Sequence, residues 1–285
     1  MTNTQSFTIG PIMKAARKFK KFNQADVAKA IGCSQSALSK MEHNLLIPSA
    51  PQWFLFSRFT AIPPETLETG IIDRHSLVKF NSDEVSLGFK IPKRYRSHRA
   101  EKVREIYPFL TYLKTTRGEA AYNEFIKTTD IDPEFFLDFD NLINFQFFAD
   151  TAAYFIVNGV NTPEKIEELV NVGQDQIYWN HYGVEWKRLT NTKEVLLQFV
   201  NEQLFFQSDF QLQVESNGDK VVLNYLPEYH LKQFKDQSPE LITFLNHYRM
   251  FSIKNLIRRV LGKEIEVELH ESPEQGLAGK FLIAG

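Results

Sequence analysis

The sequence has one cysteine, Cys33, among 285 residues, so it has no pair of thiols for an internal disulfide and no set of thiolates for zinc. It also lacks long hydrophobic runs, since no stretch approaches the roughly 18 uninterrupted apolar residues of a membrane helix. The first fifteen residues carry neither the apolar segment nor the cleavage site of a signal peptide. We therefore expect a cytoplasmic protein without a membrane segment.

Motifs of catalysis are missing as well. The sequence contains no phosphate-binding Gly-x-x-x-x-Gly-Lys loop, no His-Glu-x-x-His pair and no Gly-x-Ser-x-Gly elbow. Its seven histidines share no spacing that places two on one helical face. Only His181, within an aromatic run, is a candidate ligand contact, and an ordinary packed histidine is the favoured explanation. We expect no enzyme, no metal site and no cofactor.

The composition is that of a folded protein, with 43% apolar and 24% charged residues, and the length suits two domains. The charge is unevenly distributed. Residues 1–104 hold 17 Lys and Arg against 8 Asp and Glu, whereas residues 105–285 hold 16 against 27. This asymmetry indicates either a basic half that binds a polyanion or a merely solvated basic face.

The first seventy residues contain the residue types that begin and end five short helices. Asn23 and Ser34 are suitable N-caps, and Gly32 suits the end of the helix that precedes it. The three-residue connection from Gly32 to Ser34 predicts a helix-turn-helix arrangement. The five helices are expected over Pro11–Phe22, Gln24–Ile31, Gln35–Asn44, Pro51–Phe59 and Pro63–Gly70.

The third of these helices has two different faces. Leu38 and Met41 are placed to pack against the second helix, which offers the apolar positions Val27, Ala28 and Ile31. Its other face carries polar side chains that can bond base edges or phosphates, as a recognition helix in a major groove requires. The outward positions are Gln35, Ser36, Ser39 and Lys40.

The runs Asn23–Ala28 and Gly32–Glu42, with Pro48-Ser49, resemble the phage-repressor-like Xre family of helix-turn-helix domains over residues 9–69. The resemblance implies double-stranded DNA as the partner and an ion pair between Arg17 and Glu42. Asn44 stands where the family usually has glycine, and asparagine tolerates the left-handed conformation. The implied DNA contacts are Gln24, Ser34, Gln35, Ser36, Ser39, Lys40 and Asn44. A helical module that contacts protein rather than DNA is the alternative.

Residues 71–97 are expected to form a linker with a basic stretch, and the strongly cationic run spans Lys90–Arg104. Three interpretations remain open: an extension of the DNA footprint, a clamp for an anionic ligand such as a nucleotide, or a solvated linker. The candidate phosphate or anion contacts are Lys93, Arg94, Arg96 and Arg99.

Residues 98–285 are expected to form an α+β domain, because helical segments are followed by alternating strand patterns. Asn217-Gly218 between two such patterns is a strong hairpin signal. The overall prediction is a multidomain, mainly α protein: a five-helix domain (1–70), the linker (71–97), and helices packed on three or four antiparallel strands (98–285).

The order of elements in this second half is similar to the sensor domains of some AraC-type regulators and to haem-nitric-oxide-binding-like and vinyl-reductase-like domains. That resemblance implies a ligand pocket between helices and sheet, and it makes His247 a haem ligand by analogy alone. The candidate pocket residues are Phe145, Phe148, Tyr154 and Tyr225. Together, these patterns predict a homodimeric DNA-binding transcriptional regulator with a sensor or dimerisation domain, whose small-molecule or nucleotide effector is unknown.

Overall fold

The chain divides into two compact units. The structure, a computed structural model, describes residues 9–60, 62, 66, 72, 89–97, 99–175, 178, 186–202, 209–217, 220–228, 231, 238–270 and 277–284. The first unit comprises Met1–Pro92 with Asn123–Leu142, and the second comprises Lys93–Tyr122 with Ile143–Gly285. A mainly α-helical chain with an α+β second half, as the sequence predicted, is confirmed.

Four helices lie in the amino-terminal part of the first unit: α1 (Ile9–Phe19), α2 (Gln24–Ala30), α3 (Gln35–Glu42) and α4 (Ala50–Thr60). Each lies within three residues of its predicted bounds. Side-chain caps explain two of the starts, since Asn23 Oδ1 accepts from the Asp26 amide at 2.9 Å and Ser34 Oγ from the Ala37 amide at 3.1 Å. Of the fifth predicted helix, Pro63–Gly70, only Thr66 is described, and it is helical.

The core of this unit joins all four helices. Its buried apolar side chains come from every helix and from Ile31, Ile62 and Ile72, with Cys33 packed partly against them. Val27, Ala28, Ile31, Leu38 and Met41 all lie in it, as the apolar pattern predicted. Burial raises the pKa of the Cys33 thiol, which suits a packing residue.

A later segment of the chain, residues 123–142, also belongs to the first unit. It holds one Lys and six Asp and Glu. Lys14 Nζ lies 2.6 Å from Glu134 Oε1, and Lys18 Nζ lies 3.2 Å from Asp132 Oδ2. The predicted boundary at residue 98 stays a prediction, but the compact units do not follow it, because this acidic segment pairs with lysines of α1.

The second unit begins with a short 3₁₀ helix, and its first α-helix starts at Val103. A π-helical turn at Leu113–Arg117 and Gly118, with φ of 82°, separate this helix from the next. Along the chain, several short elements and five helices lie between Lys93 and the sheet, and those within residues 123–142 belong to the first unit. They are the 3₁₀ turns Lys93–Tyr95, Pro133–Leu137 and Trp186–Arg188, the two-residue strands β1 (Glu101–Lys102) and β2 (Leu142–Ile143), and the helices α5 (Val103–Tyr112), α6 (Gly118–Thr129), α7 (Phe145–Val157), α8 (Pro163–Gly173) and α9 (Thr192–Asn201).

Helices α5, α7 and α8 pack closely in the second unit. Phe109 of α5 is fully buried, and its ring centroid lies 5.7 Å from that of Phe148 and 5.1 Å from that of Phe155 on α7. At Gly173 a Cβ atom would lie 2.1 Å from the Pro108 carbonyl oxygen, so only glycine allows α8 this close to α5.

The carboxyl-terminal part of the unit is a four-stranded antiparallel sheet with the strand order β3-β4-β6-β5. The strands are β3 (Phe210–Asn217), β4 (Lys220–Pro227), β5 (Val267–His270) and β6 (Gly279–Ala284), and the long helix α10 (Pro239–Leu261) lies between β4 and β5 in the chain. Asn217 pairs with Lys220, as the hairpin signal predicted. The sheet packs with α9 and α10, which confirms the predicted packing of helices on three or four strands.

Within the described ranges, no helix is long and apolar enough to cross a membrane. The same part of the chain contains no group of three or more His, Cys, Asp and Glu placed to hold a metal ion.

Candidate nucleic-acid interface

The turn between α2 and α3 sets the direction in which α3 begins. Gly32 has a φ of 69°, a left-handed conformation that glycine adopts without strain. The Cys33 amide donates to the Ala28 carbonyl at 2.9 Å and closes the turn on α2. The capped start of α3 follows at once, so local hydrogen bonds fix both ends of the connection.

Helix α3 is embedded on one side and open on the other. Leu38 and Met41 are buried in the core, whereas Gln35, Ser36 and Lys40 are exposed. Ser34 is exposed at the start of the helix, and Ser39 is half-buried. The open face therefore presents an amide, hydroxyls and an ammonium group, which are the donors and acceptors that base edges and phosphates pair with.

Glu42, at the end of α3, is the centre of a buried polar cluster. Its carboxylate accepts from Arg17 Nε at 2.5 Å, from Arg17 Nη2 at 2.9 Å and from Gln24 Nε2 at 2.8 Å. The Glu42 side chain is 1% exposed. The structure thus contains the Arg17–Glu42 pair that the resemblance implied, and it ties α1 to α3.

Gln24 lies at the start of α2, where the resemblance implied a phosphate contact. Its amide nitrogen carries two hydrogens, so the bond to Glu42 leaves room for a second acceptor.

Asn44 follows α3 in the left-handed conformation, with a φ of 56°, as its place in a usual glycine position predicted. Its Oδ1 accepts from the Gly10 amide at 2.9 Å, which ties the end of α3 to the start of α1. The residue is exposed on its other side.

The basic stretch does not form one patch. Arg94 is exposed, but it lies 3.8 Å from Asp150 Oδ2 and over the Tyr95 ring, with 4.6 Å between its guanidinium carbon and the ring centroid. Lys93 and Arg96 are exposed, whereas Arg99 is half-buried and burial lowers its pKa. Arg104, which the sequence placed in the same cationic run, is fully buried in the second unit.

Three of the four predicted pocket residues lie in one buried aromatic cluster. The ring centroid of Phe145 lies 6.2 Å from that of Phe148 and 6.0 Å from that of Phe210, which in turn lies 6.2 Å from Tyr225. Tyr154 is half-buried and contacts the Phe155 ring instead. The second unit therefore brings Phe145, Phe148 and Tyr225 together, and Tyr154 joins the same network of rings through Phe155 and Phe109.

Of the two histidines considered as ligand contacts, the structure describes one, His247. His181 lies outside the described residues. His247 Nδ1 lies 2.9 Å from the Thr243 carbonyl oxygen on α10, so this nitrogen donates within its own helix.

Sequence reasoning missed a buried charged cluster in the second unit. Glu101, Asp209 and Arg249 are all buried, and Arg249 lies over the Phe210 ring at 4.2 Å and the Tyr225 ring at 5.0 Å. Burial, with the nearby carboxylates of Asp209 and Glu105, raises the pKa of Glu101 well above its usual range. The only signal in the sequence is an arginine within the buried stripe of α10.

Comparison with known proteins gives one family match and two similar solved structures. A helix-turn-helix family model matches residues 13–67, which confirms the resemblance of the amino-terminal part. Two solved structures are similar to a larger part: the Fe(II) unliganded H-NOX protein from K. algicida, at 13% identity, and a point mutant of it, at 14%. Each match has a TM-score of 0.45 and covers 64% of this chain and 95% of that one. No curated protein matches this chain.

Proposed function

We propose that this protein is a sequence-specific DNA-binding transcriptional regulator that reads a major-groove half-site with α3. The observation that carries the proposal is the open polar face of a helix held in a helix-turn-helix arrangement. Gln35 and Ser36 would face bases, with Ser39 at the edge of the contact. Lys40, Gln24, Ser34 and Asn44 would bond phosphates on either side.

The Arg17–Glu42 pair supports this reading by positioning α3 rather than by contacting DNA. Glu42 accepts three hydrogen bonds and is buried, so its charge is neutralised within the domain. A helix fixed at its last turn by α1 and at its first turn by a serine cap presents its side chains in one orientation. Such preorganisation lowers the entropic cost of binding.

The second half carries the other part of the proposal: it binds a small effector, dimerises, or does both. An effector would act only through a difference in its affinity for two arrangements of the protein. The aromatic cluster of Phe145, Phe148 and Tyr225 is where a buried ligand would change the packing of the second unit. The proposed protein is a regulator without catalytic activity.

The test is selection of DNA from a random pool by the full-length protein, followed by anisotropy titration of the enriched sequence. We expect Gln35→Ala to reduce discrimination between this sequence and its single-base variants by about tenfold or more, since one good base contact contributes about 1–3 kcal/mol. Gln213→Ala is the matched control, because Gln213 is an exposed glutamine of the second unit. A pool without enriched sequences, together with capture of protein partners through the same helix, would instead favour a protein-contact module.

The salt dependence of DNA binding distinguishes a phosphate contact of α3 from a base contact. Lys40→Ala should weaken binding to all sequences alike and reduce the slope of log K against log salt by about 1. Gln35→Ala should leave that slope unchanged. An unchanged slope for Lys40→Ala would remove Lys40 from the interface.

A further inference from the structure

The second unit encloses two carboxyl groups that contact each other. Glu101 of β1 is 2% exposed, and Asp209, directly before β3, is fully buried. Their side chains are hydrogen-bonded to each other. Two ionised carboxylates in contact repel each other and neither has a hydrogen to donate, so the bond requires a proton on one of them. The Glu101–Asp209 pair therefore consists of one carboxylic acid and one carboxylate.

Arg249 of α10 supplies positive charge to this pair, and one proton balances that charge. Arg249 is buried, and its charge acts on Glu101. Its Nη1 donates to the Leu277 carbonyl oxygen at 2.9 Å, and its guanidinium group lies over two aromatic rings. A pair with a single proton carries one negative charge, which Arg249 neutralises. A pair without a proton would bury a second negative charge, which is costly in a site of low polarity.

Other titratable groups around the pair reinforce its need for a proton. Glu105, one turn further along the chain on α5, acts on Glu101 as a like charge, while its own cations on that side also stabilise it. Burial raises the pKa of the two nearby phenols, so both stay neutral at the pH values where carboxyl groups titrate. The titratable and charged groups that surround the pair, besides Arg249, are Glu105 and Arg104 of α5, Lys102 of β1, Tyr225 of β4 and Tyr248 of α10.

The pair joins the helical part of the second unit to its sheet. Glu101 lies just before the start of α5, and Asp209 directly precedes Phe210, the first residue of β3. The ring centroid of Phe210 lies 6.0 Å from that of Phe145 at the start of α7. Loss of the proton would leave two like charges in contact in a buried site, where screening by water is weak. The two chain segments would then separate, and the rings beside them would repack.

We propose that the Glu101–Asp209 pair is a proton-binding switch of the second unit. With one proton bound, the pair joins the start of α5 to the start of β3, and as the pH rises and the proton leaves, this contact opens. Burial, together with the like charges of Asp209 and Glu105, raises the pKa of Glu101, so the opening occurs above the range in which ordinary glutamates titrate. The switch itself is independent of DNA, whereas a role of the proton as an effector of DNA binding rests on the proposed function.

The experiment is an NMR titration of the carboxyl carbons in the full-length protein, labelled with ¹³C in the side chains of Glu and Asp. The Glu101 resonance, identified by its absence from Glu101→Gln, should titrate with a midpoint well above the usual value of 4.5. Asp209→Asn should lower that midpoint by about one pH unit or more, because it removes the like charge and keeps the burial. Glu266→Gln is the matched control, since Glu266 is an exposed glutamate of the second unit, and it should leave the midpoint unchanged.

Near-ultraviolet circular dichroism of the same samples shows whether the aromatic rings repack. The signal of the parent protein should change with the midpoint of the Glu101 resonance, and the change should be absent from Glu101→Gln, whose amide has no such proton to lose. Three results would each overturn the proposal: a Glu101 midpoint at the usual glutamate value, a midpoint that Asp209→Asn leaves unchanged, or an aromatic signal that does not follow the titration. If Glu101→Gln does not fold, the shift caused by Asp209→Asn identifies the resonance instead.

Anisotropy titration with the selected DNA separates the switch from the proposed function. The affinity of the parent protein should change by about fivefold or more across the midpoint, a usual size for coupling between two sites, and Glu101→Gln should lose this dependence. An affinity that changes equally in the parent and in Glu101→Gln would exclude the proton on this pair as an effector. If selection enriches no DNA sequence, the proposed function fails, whereas the carboxyl titration still decides the switch.

Discussion

The two units place charged and apolar side chains in opposite ways. The helix-turn-helix part of the first unit has an apolar core with a buried ion pair, and it exposes six large apolar side chains between residues 45 and 59. The second unit encloses both signs of charge, with Glu101, Arg104, Asp209 and Arg249 buried among aromatic rings. The first arrangement suits contacts with other molecules. The second makes stability depend on electrostatics inside the unit.

The largest expected effect tests the buried charges of the second unit. Arg249→Met keeps most of the side-chain volume but leaves Glu101 and Glu105 without that positive charge. It also removes the bond from Nη1 to the Leu277 carbonyl oxygen, 2.9 Å in length. Breaking a buried pair by removing one partner costs about 3–5 kcal/mol, so we expect the free energy of unfolding to fall by about 4 kcal/mol in urea titration.

A second substitution decides whether charge is the cause. Adding Glu101→Gln to Arg249→Met should recover part of the loss, because the positive charge of Arg249 favours the ionised form of Glu101 and an amide needs no such charge. If the double variant is as unstable as the sum of the two single changes, then Arg249 and Glu101 are not coupled, and Arg249 acts through its bond to Leu277 and its packing against Phe210 and Tyr225.

The corresponding change in the first unit is Glu42→Leu, which removes the acceptor of three hydrogen bonds. Arg17 is then left largely buried without its partner, which should cost about 3 kcal/mol of unfolding free energy. Asp26→Leu is the control, because Asp26 is an exposed acid of the neighbouring helix. A loss no greater than that of the control would show that the pair does not hold α3 in place.

Local signals explain why the first unit was predictable from the sequence. Asn23, Gly32, Ser34 and Asn44 each act on backbone groups within a few residues, so their spacing alone predicted α2, α3 and the turns. The Arg17–Glu42 pair required the family resemblance as well. The exposed face of α3 followed directly from the buried positions of Leu38 and Met41.

Long-range pairing explains what the sequence missed. The acidic segment near Asp132 and Glu134 lies more than a hundred residues from the α1 lysines that it pairs with, and no local pattern predicts such a contact. Arg104 was read as part of an exposed cationic run, because a sequence does not show which charges have buried partners. The division of the chain into two units depends on these contacts, and the division of charge at residue 104 does not reproduce it.

A smaller effect is expected in the pH dependence of the free energy of unfolding of the second unit. Burial raises the pKa of Glu105 from 4.5 to about 7, against the opposing effect of Arg104, Lys102 and Arg249. Between these values the folded state holds a proton that the unfolded state has lost, so the contribution of Glu105 to stability falls as the pH rises from about 4.5 to 7. The slope is at most about 1.4 kcal/mol per pH unit for one proton.

Glu105→Gln should remove this slope from unfolding measured in urea at several pH values. Glu119→Gln is the control, because Glu119 is an exposed glutamate of α6. A pH profile that is the same in Glu105→Gln and in the parent protein would contradict the assignment. Glu105 lies in the second unit, so the expected slope belongs to that unit.

The smallest expected effect comes from an ion pair on the surface of the second unit. Lys220 Nζ lies 2.9 Å from Glu268 Oε1, but both side chains are about half exposed. Water and salt screen such a pair, so Lys220→Ala should change the free energy of unfolding by less than about 0.5 kcal/mol. Thermal or urea unfolding at low and high salt measures it directly. A loss as large as that of Arg249→Met would mean that the location of a charge does not govern stability here, because an exposed pair would then contribute as much as a buried one.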